Sequence, residues 1–125
     1  QRIVRALDEG DVLLSKERAI GAEETSGELL AALAELGGAA IVEALDLLES
    51  GAARFTPQDA SRATYARKLK KERGALDWTR PANELVRHVR AMNPWPGARA
   101  LDPKGRDLTV LRAREIAARG EPGAV

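Results

Sequence analysis

The chain has 125 residues, 44% of them hydrophobic and 31% charged, a balance that suits a folded chain and excludes wholesale disorder. It has no cysteine and a single histidine, His88, which excludes a disulfide framework and thiolate metal sites and argues against a bound metal. The net charge of +1 conceals a split: residues 1–61 carry five Lys/Arg against twelve Asp/Glu, net −7, and residues 62–125 carry fifteen against seven, net +8, an asymmetry that suggests a polyanionic partner for the second half.

The opening reads as strand, acidic turn, strand: Ile3-Val4, then Ala6-Leu7-Asp8-Glu9-Gly10-Asp11, then Val12-Leu13-Leu14. Two such strands bury too little surface to stand alone. Thr25-Ser26-Gly27-Glu28 is a capping box that starts a helix, in which Thr25 and Glu28 satisfy each other's free backbone N–H groups. Leu29, Leu30, Leu33, Leu36, Ala40, Ile41, Leu45 and Leu48 follow at helical spacing, so one face is expected to pack and the other to meet water. Gly37-Gly38 predicts a kink or a close contact in mid-helix, and Gly51 ends the helix.

Residues 52–63 are turn-rich and read as a connector. Six cations then fall within twelve residues, Arg62, Arg67, Lys68, Lys70, Lys71 and Arg73, opposed only by Glu72. Pro81 suits the first turn of a second helix through Leu85, Val86, Val89 and Met92, which stops before Asn93-Pro94. Its His88 is read as a packing or surface residue. Ala98–Leu101 and Leu108–Leu111 are expected strands joined by Asp102-Pro103-Lys104-Gly105. The chain closes on Arg119-Gly120-Glu121-Pro122-Gly123-Ala124-Val125, and both ends read as cut from something longer. No apolar run approaches the roughly 18 residues of a membrane span and no secretory leader stands at the start, so the expected location is the cytoplasm.

Arg5-Ala6-Leu7-Asp8-Glu9-Gly10-Asp11-Val12-Leu13 resembles the Leu-Asp-x-Gly loop of the formyltransferase superfamily. Thr64-Tyr65-Ala66-Arg67-Lys68-Leu69-Lys70-Lys71-Glu72, Leu76-Asp77-Trp78 and Arg90-Ala91-Met92-Asn93-Pro94-Trp95-Pro96-Gly97-Ala98 follow in an order and spacing that look like the linker and C-terminal-domain entry of methionyl-tRNA formyltransferases. The resemblance covers essentially the whole chain. It implies an α/β fragment: residues 1–56 as the C-terminal part of a doubly wound formyltransferase catalytic domain, 57–71 as a basic linker, and 72–125 as the start of an OB-like β-barrel domain that binds tRNA.

The implied activity is transfer of a formyl group from 10-formyltetrahydrofolate to the amino group of methionyl initiator tRNA. The family's catalytic residues are an Asn, a His and an Asp, and only the Asp has a counterpart here, at Asp8. The Asn-x-His element belongs before Gln1, so the fragment itself is expected to be inactive. Amine attack on a formyl carbon builds an oxyanion and leaves a proton to remove. Asn and protonated His suit the first need, and a carboxylate that holds the His charge and relays the proton suits the second. Without the family context Asp8 reads as a turn carboxylate bonded to neighbouring backbone N–H groups.

The resemblance also assigns Arg5, Ala6 and Leu7, with Asp8, to the wall of the folate pocket, through their backbone. It assigns Arg67, Lys68, Lys70 and Lys71 to tRNA, where cations position a phosphate backbone without reading its sequence. Trp78 and Trp95 are expected in the core at the domain entry. Two further readings compete: a stand-alone RNA-binding module, and a different folate-dependent formyltransferase of the superfamily. A module should close its own sheet, whereas a fragment should leave apolar edges exposed and tend to self-associate.

Overall fold

The computed structural model describes residues 1–117, and the closing segment Arg119–Val125 singled out above lies outside them. The elements in chain order are α1 (Ser26–Glu49), α2 (Ala82–Met92), β1 (Ala98–Leu101) and β2 (Asp107–Val110). Short 3-10 turns stand at Ala60–Arg62 and Lys71–Gly74. This is a small α/β arrangement of two helices and a two-stranded sheet. The chain forms two compact units: residues 1–19 with 31–67, and residues 20–30 with the chain from Lys68 onward.

The first unit contains most of α1. That helix runs unbroken through Gly37 and Gly38, and nothing lies within 4 Å of where their Cβ atoms would be, so the expected close contact does not form. Gly51 ends it with a left-handed φ of 69°, a conformation that costs glycine nothing. Leu36, Ala40, Ala44 and Leu47 make a half-covered stripe, but Leu33, Ile41, Leu45 and Leu48 are exposed and no residue of the helix is buried. The expected packed face is therefore only partly packed.

The two strands expected at Ile3-Val4 and Val12–Leu14 are absent. A strand needs a neighbour for its backbone groups, and this stretch finds few. Val12 forms a two-bond bridge with Thr56, at 2.9 Å each way, and the Arg2 N–H donates to the Asp11 carbonyl at 2.9 Å. Ile3 is left 97% exposed.

In the second unit the capping box forms as its spacing predicts. The Thr25 N–H and hydroxyl both donate to the Glu28 carboxylate at 2.8 Å, and the Glu28 N–H donates to Thr25 Oγ1 at 3.3 Å. The bonds from Thr25 hold the Glu28 carboxyl below its ordinary pKa. The start of α1 is tied to residues before β1, since Gly27 N–H and Ser26 Oγ both donate to the Asn93 carbonyl, at 3.1 and 2.6 Å.

α2 begins directly after Pro81 and buries Val89 to 1% exposure, with Leu85, Val86 and Met92 half-buried. His88 is half-buried beside it, and its Nε2 has no hydrogen-bond partner. β1 alternates as a half-buried strand should: Ala98 and Ala100 point in, Arg99 and Leu101 out. It pairs antiparallel with β2, from Ala98 opposite Val110 to Leu101 opposite Asp107, and β2 starts one residue before the expected strand. The Asp102 carboxylate closes the turn by accepting from Lys104 N–H, Arg106 N–H and Arg106 Nε at 2.9, 2.8 and 2.7 Å. Trp78 and Trp95 do not enter this core. They are 45% and 52% exposed, and the buried positions are held instead by Val89, Pro96 and the small residues Gly74, Gly97, Ala98 and Ala100.

Candidate active-site loop and basic segment

The loop at residues 5–11 is held by polar contacts rather than by an apolar core. Gly10 is buried so closely against the first turn of chain that a Cβ there would stand 1.8 Å from the Arg2 carbonyl oxygen. Only glycine fits. Arg2 is fixed in turn by its bond to Asp11 and by its guanidinium, which lies over the Phe55 ring at 4.2 Å. From the connector, the Gln58 side-chain amide donates to two carbonyls of the loop, Asp8 at 2.8 Å and Gly10 at 2.7 Å.

Asp8 adopts a left-handed backbone, φ 57°, the one non-glycine among the described residues to do so. That conformation costs an ordinary residue roughly 1–2 kcal/mol and is best tolerated by Asp and Asn. The turn-carboxylate reading required the side chain of Asp8 to bond nearby N–H groups. Instead, its carbonyl takes the Gln58 bond, and its exposed carboxylate has no partner among the described residues.

Two recesses meet at this residue. Arg5, Ala6, Leu7 and Asp8 line a cavity of about 320 Å³ together with Gln1–Val4 and Gly10. Asp8 also lines a groove of about 560 Å³ formed with Glu9, Gln58, Asp59, Arg62 and Ala63. In that groove the Asp59 carboxylate caps the 3-10 turn by accepting from Ser61 Oγ and N–H, at 2.6 and 2.9 Å, and these bonds hold its carboxyl below the usual range.

The cations of the basic segment fall in both units. Arg67 is the last residue of the first, while Lys68, Lys70 and Lys71 belong to the second. All four are exposed, and among the described residues none has a carboxylate partner. Lys70 is extended (φ −117°, ψ 158°), and Lys71 opens the 3-10 turn that follows. Lys71 also lines a groove of about 570 Å³ in the second unit, with Trp78, Arg99, Leu101 and Asp107.

Sequence reasoning missed Gln58 and the groove beside Trp78. A lone Gln in a turn-rich connector carries no spacing signal, and an exposed Trp is not distinguishable in sequence from a buried one. Among the described residues no group of three or more His, Cys, Asp or Glu could hold a metal ion, and no helix is long and apolar enough to cross a membrane.

Residues 68–125 match the formyl transferase C-terminal domain. The chain is 50% identical to the methionyl-tRNA formyltransferase of Anaeromyxobacter dehalogenans over 121 residues, covering 94% of this chain and 38% of that relative. It is 46% identical to that of Heliobacterium modesticaldum, covering 86% of this chain and 34% of the relative. With that of Pseudomonas fluorescens the identity is 43%, over 99% of this chain and 39% of the relative. The chain thus spans between about a third and two fifths of the length of the curated relatives it matches. Over 86–99% of its length the chain is similar to part of the methionyl-tRNA formyltransferases, and its residues from Lys68 onward match the C-terminal domain of the formyl transferases.

Proposed function

We propose that a formyltransferase carrying this segment moves a formyl group from 10-formyltetrahydrofolate to the α-amino group of methionyl initiator tRNA, in the cytoplasm, for translation initiation. The observation that carries this reading is the place of Asp8. Its carboxylate is exposed and unbonded, and the residue forms part of the wall of two separate recesses. A reaction that brings a donor and an acceptor together needs such a residue between them.

In this reading the folate donor occupies the 320 Å³ cavity, where the backbone of Arg5, Ala6 and Leu7 offers donors and acceptors to the pterin edge. The aminoacyl end enters the groove along Gln58–Ala63. The amine nitrogen bonds to the formyl carbon, the carbonyl becomes an oxyanion, and the nitrogen loses a proton. The intermediate then collapses, breaking the bond to the folate nitrogen, which takes up a proton. Asp8 receives the amine proton, directly or through water, and balances charge on a neighbouring His. The Asn and His that the family resemblance expects lie outside these 125 residues, so the isolated chain is expected to show no turnover.

Residues 1–56 are the closing part of a doubly wound catalytic domain, 57–71 the linker, and 72–125 the opening of an OB-like tRNA-binding domain. This division is supported by the family match from residue 68. The unpaired Arg67, Lys68, Lys70 and Lys71 suit tRNA phosphates.

The test is formylation by the full-length enzyme. Transfer to methionyl initiator tRNA that requires 10-formyltetrahydrofolate is expected, with tRNA binding that weakens steeply with salt. A full-length protein that binds tRNA but never formylates it would overturn the reading in favour of RNA binding alone.

A further inference from the structure

From the two hydrogen bonds that reach Asp8 and Gly10 across some fifty residues, we infer that Gln58 is a positioning residue for the formyl-transfer step, acting through the backbone of Asp8. The inference rests on the proposed catalytic role of Asp8. An amide NH₂ carries two donors, and both are used: one on the Asp8 carbonyl at 2.8 Å, the other on the Gly10 carbonyl at 2.7 Å.

The first of these carbonyls belongs to Asp8 itself, the residue with the left-handed φ of 57°, and the second lies two residues further along the loop. A left-handed Asp relaxes to an ordinary conformation unless its surroundings hold it, and the Gln58 amide fixes the peptide that directly follows the Asp8 torsion and the carbonyl of Gly10 beyond it. Gly10, packed against the Arg2 carbonyl, fixes the far end of the loop, and the Gln58 bond to the Asp8 carbonyl acts at the residue itself. Gln58 also lines the groove that Asp8 shares, next to Asp59, whose own bonds to Ser61 set the turn from which Gln58 projects. No apolar side chain is buried in this unit to do the same work.

The chemistry of the clamp is donation to carbonyl oxygens, so replacements sort by whether they donate. Gln58→Ala and Gln58→Glu remove it, the second also placing a carboxylate against two carbonyls. Gln58→Lys, of similar reach and with an ammonium that donates, restores it.

The experiment is a double-mutant cycle in the full-length enzyme, reading kcat and KM for both substrates. Gln58→Ala is expected to lower kcat by about a hundredfold, the scale of a displacement of roughly 1 Å at a reacting group, with the KM for 10-formyltetrahydrofolate unchanged and the KM for the tRNA, whose groove Gln58 lines, moved far less than kcat. Gln58→Lys should recover most of that loss. In an Asp8→Asn background, Gln58→Ala should cost nothing further. A Gln58→Ala enzyme with full kcat, or losses that multiply in the double variant, would overturn the inference while leaving the role of Asp8 intact. Full activity of Asp8→Asn alone would remove the reading beneath it.

Discussion

The two units of the chain are held together by different forces. The second buries side chains: Val89 at 1% exposure, Ala98 at 0% and Ala100 at 9% all lie in it. In the first unit the one buried residue is Gly10, and the order of the Asp8 loop comes from hydrogen bonds, a cation over a ring, and a glycine with no room for a side chain. Packed apolar groups give a unit its own stability. Polar contacts to an exposed loop add about 1 kcal/mol or less each but set direction well. The lesson is that the candidate catalytic residue stands where geometry is specified by few, separately breakable bonds, while the second unit carries the sturdier core.

Single changes should expose that difference. Gly10→Ala drives a methyl into the Arg2 carbonyl and is expected to cost about 3 kcal/mol, the upper end for overpacking, because the obstacle is backbone. Hydrogen exchange should then accelerate at the Arg2 and Val12 amides while β1 and β2 keep their protection. Uniform acceleration in both units would break the comparison. Val89→Ala should do the reverse, loosening α2 and the hairpin by roughly 2 kcal/mol through lost burial and a cavity, and sparing the Val12–Thr56 bridge.

The capping box is a smaller handle. Thr25→Ala should fray the first turn of α1 for about 1 kcal/mol, seen as faster exchange at the Glu28 and Leu29 amides. Acid should act on the same bonds more gently. Glu28, Asp77 and Asp102 in the second unit, and Asp59 in the first, have carboxyls held below their ordinary pKa by bonds from Thr25, Thr79, Arg106 and Ser61. A depressed folded-state pKa gives stability that is present above the unfolded value, 4.5 for Glu28 and 3.8 for the aspartates, and lost as pH falls through the folded one. Amide shifts at Thr25, Thr79, Arg106 and Ser61 should therefore hold steady at neutral pH and move only below about pH 4.

How much of this was legible in sequence follows from the range of each interaction. The capping box, the Gly51 stop, α2 from Ala82 to Met92 and the strand pair near residues 98–110 were readable because each is set by residues a few positions apart. The strands expected around Ile3 and Val12 were not, since apolar residues alone do not supply the neighbouring backbone a strand requires. The indoles of Trp78 and Trp95 were assigned to a core that Ala98 and Ala100 fill instead. At the candidate site, Asp8 and Gly10 are marked by their motif, whereas Gln58 reaches them across 50 and 48 residues and leaves no local trace.

α1 exposes apolar side chains, Ile41, Leu45 and Leu48 among them, and the isolated 125-residue chain is expected to self-associate through them. Leu45→Lys with Leu48→Glu is expected to lower its apparent mass in sedimentation. A wild-type chain that is already a monomer at high concentration would contradict this.

The most direct test of the account is the single-turnover rate of formyl transfer to methionyl initiator tRNA by the full-length enzyme, wild type against Asp8→Asn, at saturating tRNA and 10-formyltetrahydrofolate. A loss of about a hundredfold to ten-thousandfold, with tRNA binding intact, is the predicted result for a group that manages the proton of the reaction. A rate within twofold of wild type would return Asp8 to the role of an exposed turn residue.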